Sequence, residues 1–360
     1  MKKVLVVDDS ALMRKLITGV LVEGGYEVKS ARNGAEGVEM VVSWQPDAVT
    51  LDINMPEMDG LTALSLIMAA RPTPVIMVSS LTEKGALATF EALALGAVDF
   101  IPKPGGTISL HVDQIKVILL DKVRSALRAQ VGAQHGRPRA APARPFAAKP
   151  ATKPAALPLS AGTPGRAGAK VPGLLLIGVS TGGPRTLEDI LPKLPANFPW
   201  PVLVAQHMPA NFTDTFARRM DTLCALKVVE AAGPMPLQVG HVYIGRGGTD
   251  IVVSDRAGVL HVAPRPETPT VLWHPSVEVM VESAMKFLPP QSLMGVMLTG
   301  MGNDGAAAMK RLHAAGGRTI AESAETAVVF GMPNELIELG GASLVLPCHA
   351  IAGQLRIWLS

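Results

Sequence analysis

A chain of 360 residues with 48% hydrophobic and 18% charged residues is too long for one ordinary domain and has apolar material for two cores. No apolar run approaches the ~20 residues of a transmembrane helix, and Cys224 and Cys348, far apart and in no C-x-x-C pair, argue against a disulfide framework or a cysteine metal site and for a reducing cytosol. The net charge of +3 misleads, because residues 131–170 hold seven Lys or Arg and no Asp or Glu; the remainder is mildly acidic and offers no basic surface for nucleic acid.

The first apolar run, Val4 to Val7, is cut at once by Asp8-Asp9, which makes it a buried strand and not a signal peptide. A helix follows with Leu12, Leu16, Ile17 and Val20 on one face, closed by Gly24-Gly25. Tyr26 to Ser30 reads as a second strand and Gly34 to Val42 as a second helix. The third strand, Ala48 to Leu51, runs into Asp52, and a helix covers Leu61 to Ala70. Pro74 to Val78 ends at Ser79-Ser80, a helix runs from Lys84 to Leu95, and Val98 to Ile101 precedes Pro102-Lys103-Pro104. A helix from Ile108 to Leu127 closes the unit. Strands alternating with helices predict a parallel sheet covered on both faces, with its ligand site beyond the carboxyl ends of the strands. Asp8, Asp9, Asp52, Ser79 and Lys103 all fall at those ends. Converging carboxylates need a counter-cation, for which a hard divalent ion such as Mg²⁺ is the natural choice, with Lys103 as a second positive charge.

The set Val-Asp-Asp-Ser, Leu-Asp-x-Asn-Met-Pro-x-Met-Asp-Gly, Ser-Ser and Asp-Phe-Ile-Pro-Lys-Pro closely resembles the receiver domains of two-component response regulators, over residues 1 to about 125. The resemblance implies a flavodoxin-like five-stranded sheet of order 2-1-3-4-5 and phosphorylation of Asp52 by a histidine kinase. It implies Mg²⁺ held by Asp9, Asp52 and the Asn54 carbonyl, with Asp8 nearby, and Lys103 paired with the phosphoryl group. Ser79 would move to bond that group and Phe100 would swing in behind it. Many receivers carry Tyr where this chain has Phe100, so a hydroxyl contact from that ring is not available here.

Between this unit and the next, residues 126–170 read as a linker. Segment 131–170 holds seven prolines and twelve alanines with one aromatic, Phe146, and cannot bury enough apolar surface to order itself. A solvated, extended tether is the plain reading; a polybasic contact to a membrane or partner is the alternative, weakened because the bases are spread out. His135 lies in this segment and is discounted as a catalytic base.

From 171 to 360 a second α/β unit is expected. Leu174 to Ile177 is a short buried strand, followed by Gly178-Val179-Ser180-Thr181-Gly182-Gly183 and a helical pattern through Leu187, Ile190 and Leu191. A serine between glycines at a strand-to-helix turn has the pattern of a nucleophile elbow, with N–H groups at the helix start to stabilise an oxyanion. Such turns also bind phosphates and nucleotides, so the motif alone leaves both open. The strand Val202 to Ala205 ends in Gln206-His207-Met208-Pro209, before a helix from Phe212 to Met220. Leu293 to Leu298 runs into Thr299-Gly300-Met301-Gly302-Asn303-Asp304-Gly305 and an alanine-rich helix. A serine, a histidine and an aspartate thus each end a strand of one parallel sheet. Ser180 needs His207 to take its proton, and His207 needs Asp304 to fix its tautomer and stabilise the imidazolium. His241, His261, His313 and His349 suit surface or satisfied positions, His111 lies in the first unit, and His274 is substrate-contacting or structural.

The stretches Ile-Gly-Val-Ser-Thr-Gly-Gly, Gln-His-Met-Pro, His-Pro-Ser-Val, Leu-Thr-Gly-Met-Gly-Asn-Asp-Gly and Phe-Gly-Met-Pro resemble the chemotaxis protein-glutamate methylesterase family, so that with the receiver nearly the whole chain is covered. The resemblance implies a Ser180–His207–Asp304 triad with the oxyanion held by backbone N–H groups near Thr181 and Met301. It implies a cytoplasmic, phosphorylation-activated hydrolase that needs no cofactor for the ester chemistry. The substrates would be glutamate methyl esters on the cytoplasmic helices of methylated chemoreceptors, with methanol released, and in many members glutamines to be deamidated. A chemotaxis histidine kinase would be the phosphodonor. Nothing in the sequence demands more than a monomer, nucleic acid or membrane insertion. Ile244-Gly245-Arg246-Gly247-Gly248 departs from the Ala-Pro-Gly-like loop usual in the family, and no role is carried onto Arg246. The alternative is a response regulator whose output binds a nucleotide or phosphate without hydrolysis; it does not account for His207 and Asp304 at matching strand ends. A transcription factor ranks last, for want of a helix-turn-helix candidate.

Overall fold

Two parallel sheets organise the chain in the computed structural model, which describes residues 1–80, 82–103, 112–129 and 171–359, the side chains of 112–115 excepted. The Pro/Ala-rich stretch from 130 to 170, with His135 and Phe146, lies outside the described residues, as do His111 and the start of the helix read from Ile108.

The first sheet is built from β1 (Lys3–Val7), β2 (Glu27–Ala31), β3 (Ala48–Asp52), β4 (Val75–Ser79) and β5 (Asp99–Pro102), in the order β2-β1-β3-β4-β5 with every pair parallel. Its helices are α1 (Ala11–Glu23), α2 (Gly34–Trp44), α3 (Gly60–Ala70), α4 (Glu83–Leu95) and α5 (Val112–Arg128). The central strands β3 and β4 are buried at every position, as a sheet covered on both faces requires. Ser10, Asn33, Asp59 and Thr82 each accept a backbone N–H three residues on, so α1 to α4 begin at side-chain caps. The order 2-1-3-4-5 expected from the receiver resemblance is the one observed.

The second sheet has seven strands in the order β15-β14-β13-β6-β7-β10-β8, again all parallel. They are β6 (Leu174–Val179), β7 (Val202–Gln206), β8 (Lys227–Ala231), β10 (His241–Gly245), β13 (Leu293–Met297), β14 (Arg318–Glu322) and β15 (Leu344–Leu346). Helices α6 (Gly183–Ile190), α7 (Ala210–Leu223) and α11 (Cys348–Leu359) share the core on one face. Helices α8 (Val277–Met285), α9 (Ala306–Ala314) and α10 (Met332–Glu338) share that on the other. The winding reverses between β6 and β13, which opens a crevice at the carboxyl ends of those two strands.

The sequence reading did not anticipate the small antiparallel sheet β11-β12-β9, made of β9 (Met235–Pro236), β11 (Thr249–Arg256) and β12 (Val259–Pro266). Its hairpin turns on Ala257 and Gly258, both at positive φ, the backbone hand that matches the twist of an antiparallel pair. Among the described residues no helix is long and apolar enough to cross a membrane.

Candidate active site and its receiver cover

In the first unit, Asp52 closes β3 and Lys103 follows β5, two strands that flank β4, and their carboxyl ends deliver both into one pocket. Lys103 Nζ donates to Asp52 Oδ2 at 2.7 Å. It also stands 3.2 Å from Asp8 Oδ2 as an ion pair without hydrogen-bond geometry, which leaves that buried oxygen with no hydrogen bond. Burial pushes the Asp52 carboxyl up even against Lys103. Burial alone would lower the Lys103 ammonium, but the hydrogen bond and charge of Asp52, with Asp8, hold it above its ordinary value. Asp8, Asp9 and Asp52 each present a carboxylate oxygen, all within 4.8 Å of one another, a hard donor set that fits a divalent cation of the Mg²⁺ class. The Asn54 N–H reaches back to Asp52 Oδ1 at 3.4 Å. Ser79 is fully buried and its hydroxyl donates to the Gly85 carbonyl at 3.1 Å, turned into α4. Phe100 points out of the sheet, its ring centroid 4.4 Å from that of Phe212 on α7.

In the second unit the three predicted residues follow the adjacent strands β6, β7 and β13, and His207 and Asp304 meet directly. Ser180 follows β6, and its N–H donates to the Thr299 carbonyl just past β13 at 2.9 Å. Gly182 takes φ +79°, the left-handed turn that swings the chain from strand into α6. His207 follows β7, tied to β6 by its N–H on the Val179 carbonyl at 3.0 Å. Its Nε2 lies 2.8 Å from Asp304 Oδ2, and its Nδ1 is buried with no hydrogen-bond partner. Asp304 sits on the N-terminus of α8. Its oxygens accept the Ser276 hydroxyl at 2.8 Å, the Val277 N–H at 2.7 Å and the Glu278 N–H at 3.1 Å. Burial alone would raise the Asp304 carboxyl, but the hydrogen bond and charge of His207 and these N–H groups hold it below the usual carboxylate range. A carboxylate so held fixes the proton on Nε2 and leaves Nδ1 as the acceptor, the arrangement a general base needs.

Several residues outside the predicted triad shape the crevice. Trp273 lies parallel to the His207 ring at 5.7 Å. Thr299 is a hub: its hydroxyl donates to the Thr181 carbonyl at 2.8 Å and its N–H to the fully buried Glu322 at 2.8 Å. His274 donates through Nδ1 to Asp250 Oδ1, 2.8 Å away, in keeping with a structural role. His241 and His261 each bond through Nδ1 to a carbonyl two residues back, and His313 Nδ1 lies 3.0 Å from the Ser343 hydroxyl, 30 residues on. Arg246 is exposed.

The first unit covers this edge. The Thr181 hydroxyl donates to Asp99 Oδ2 at 2.6 Å, and Lys122 Nζ donates to the same oxygen at 2.6 Å. The Ser125 hydroxyl meets Met301 Sδ at 2.8 Å. Phe90 and Phe100 pack against Phe212 and Phe216 of α7. Thr181 and Met301, the two residues expected beside an oxyanion, are thus both in contact with the first unit.

The family model described as response regulator receiver domain matches residues 4–113, and that described as CheB methylesterase matches 175–355. A Rhodospirillum rubrum protein named protein-glutamate methylesterase/protein-glutamine glutaminase 3 is 55% identical over 100% of this chain and 97% of its own length. A Rhodopseudomonas palustris relative, of the same name with the number 2, is 50% identical over 99% of this chain and 98% of its own. One from Carboxydothermus hydrogenoformans is 46% identical, covering 98% of each.

Proposed function

The chain belongs to the CheB methylesterase family, with a response-regulator receiver ahead of the esterase, and from that membership we propose a serine mechanism acting on glutamate methyl esters of chemoreceptor proteins. Membership also counts against an output that binds a nucleotide or phosphate without hydrolysis. In this reading 1–125 is the receiver, 126–170 the linker and 171–360 the esterase. Ser180 Oγ attacks the ester carbonyl while its proton passes to His207 Nδ1. The backbone N–H groups of Thr181 and Met301 hold the resulting oxyanion. Collapse of the tetrahedral intermediate breaks the bond to the methoxy group, which leaves as methanol with the proton from His207. Water then gives a proton to His207 and attacks the acyl-serine; Ser180 recovers its proton and the glutamate carboxylate departs. On a glutamine side chain the same steps expel ammonia. The observation that carries the reading is His207, held by Asp304 through Nε2 with Nδ1 left unpartnered, on a main chain tied to Val179 next to Ser180.

The receiver supplies control. Asp52 is the phosphorylation site, with Asp8, Asp9, Asp52 and the Asn54 carbonyl to hold Mg²⁺ and Lys103 to pair with the phosphoryl oxygens. When bound there, the ion neutralises charge on the phosphoryl group during transfer. Phosphorylation engages Lys103, already bonded to Asp52, with the phosphoryl oxygens, draws Ser79 toward Asp52 and lets Phe100 turn inward, away from Phe212. Since β5 carries both Phe100 and Asp99, that change loosens the grip on Thr181 and shifts the population toward an uncovered crevice. The phosphodonor is a chemotaxis histidine kinase, the substrate lies on receptor cytoplasmic helices, and the protein works as a cytoplasmic monomer.

The test is methanol release from membranes bearing methylated receptors. Ser180→Ala is expected to abolish release while receiver phosphorylation persists. Undiminished release by Ser180→Ala would overturn the serine mechanism.

A further inference from the structure

We infer that Gln206 is a positioning residue that aims the oxyanion-binding peptide after Ser180, and that position 183 is glycine to make room for it; the inference rests on the serine mechanism above. Gln206 ends β7 beside Val179 of β6 and is almost wholly buried. Its side-chain amide donates both hydrogens, one to the Ser180 carbonyl at 3.0 Å and one to the His207 carbonyl at 3.1 Å. One side chain therefore clasps the main chain of the nucleophile and of the base. The flipped amide would set Oε1 against two carbonyl oxygens, so the partners fix its orientation.

The Ser180 carbonyl and the Thr181 N–H belong to one peptide, which is planar, with the two groups pointing in opposite directions. Whatever anchors that oxygen aims that N–H. The anchor is double: Gln206 Nε2 on one side and the Gly183 N–H at 2.8 Å on the other. An oxyanion donor contributes only where it is already aimed at the developing charge, so the expected effect falls on kcat and not on KM.

The amide's other end explains the glycine. Gln206 Oε1 is buried without a hydrogen-bond partner and lies directly over Gly183. A Cβ at 183 would stand 2.0 Å from Oε1, 2.9 Å from Cδ of the same side chain and 2.6 Å from Val179 Cγ2. Any larger residue must push Gln206 off its two carbonyls. A buried acceptor left unpaired is a cost borne at this site for the sake of the two donors.

The experiment compares full-length wild type, Gln206→Ala, Gly183→Ala, the double variant and Ser180→Ala. Methanol release is measured from methylated-receptor membranes with phosphodonor and Mg²⁺, and Tm is recorded for each. Gln206→Ala is expected to lower kcat about 10²-fold, as for an oxyanion donor lost, with KM within about twofold. Gly183→Ala should fall comparably, and the double variant no further than Gly183→Ala alone, because both act on one clasp. If Gln206→Ala does not fold, the near-isosteric Gln206→Glu, which replaces the two donors with acceptors, is read in the same way. Wild-type kcat in a folded Gln206 variant, a loss confined to KM, or multiplicative losses in the double variant would overturn the inference. Active Ser180→Ala would instead overturn the serine mechanism on which it rests.

Discussion

Asp304 accepts four hydrogen bonds, three of them from the first turn of one helix or its cap and the fourth from His207. That set holds the carboxylate ionised, and the ionised form in turn holds the histidine proton on Nε2. Asp304→Asn presents an amide that can donate to the ring and reverse the tautomer. We expect kcat to fall by at least ~10³-fold with the fold intact, measured as methanol release alongside Tm. Glu322 shows the opposite environment. Burial pushes its carboxyl up to about 7, although Thr299 N–H and the Thr326 hydroxyl both donate to it. Below the unfolded value near 4.5 both states are protonated. As pH rises toward 7 the unfolded chain ionises first, so stability is lost across that window, by up to ~3 kcal/mol above it. Glu322→Gln should therefore match wild-type Tm near pH 4.5 and exceed it at pH 8; an equal shift at both would contradict the assignment. Ser180, His207 and Asp304 were legible because each sits in a glycine-rich or polar break at the end of an apolar run. Glu322 was not: it ends a strand with no motif around it, and only the packing of β14 beside β13 brings it to Thr299.

The helix α8 shows how an element does the work of a catalytic site. Its N-terminal N–H groups, which lack partners inside any helix, are given to Asp304, and Ser276 serves both Asp304 and the cap, accepting the Val279 N–H. Ser276→Ala is expected to cost about 1 kcal/mol of stability and to lower kcat, with a kcat at wild-type level contradicting the role. The alternation of strand and helix was readable in both units from apolar runs of fitting length. The hairpin β11–β12 and the loop carrying Trp273 onto His207 were not, because their strands are only half buried and their place depends on the face of α8 they pack against. The cap residue Ser276 stood in plain view in His-Pro-Ser-Val, but its second partner lies 28 residues away across a crossover.

At the scale of the molecule, the decisive contact is between units. Thr181 and Asp99 are 82 residues apart and Ser125 and Met301 176 apart, so no local pattern announces either pair. The two folds were legible from motifs at strand ends; the face by which one covers the other was not, since it is set by the fit of Phe90 and Phe100 to α7 and by a single buried carboxylate. β5 and the residue after it span the covered edge and the phosphorylation pocket, from Asp99 through Phe100 to Lys103. Asp99→Asn weakens the acceptor shared by Thr181 and Lys122 and is expected to raise basal methanol release several-fold while leaving the fully phosphorylated rate unchanged.

The measurement to make first is methanol release from methylated-receptor membranes by the full chain, with and without a small-molecule phosphodonor and Mg²⁺, in wild type, Asp52→Ala and Asp99→Asn. Release should rise with phosphodonor in wild type, stay at the resting level in Asp52→Ala, and start high in Asp99→Asn. A receiver that is phosphorylated with no rise in release, or an Asp99→Asn protein as quiet as wild type, would contradict control of Ser180 through the contact between Asp99 and Thr181.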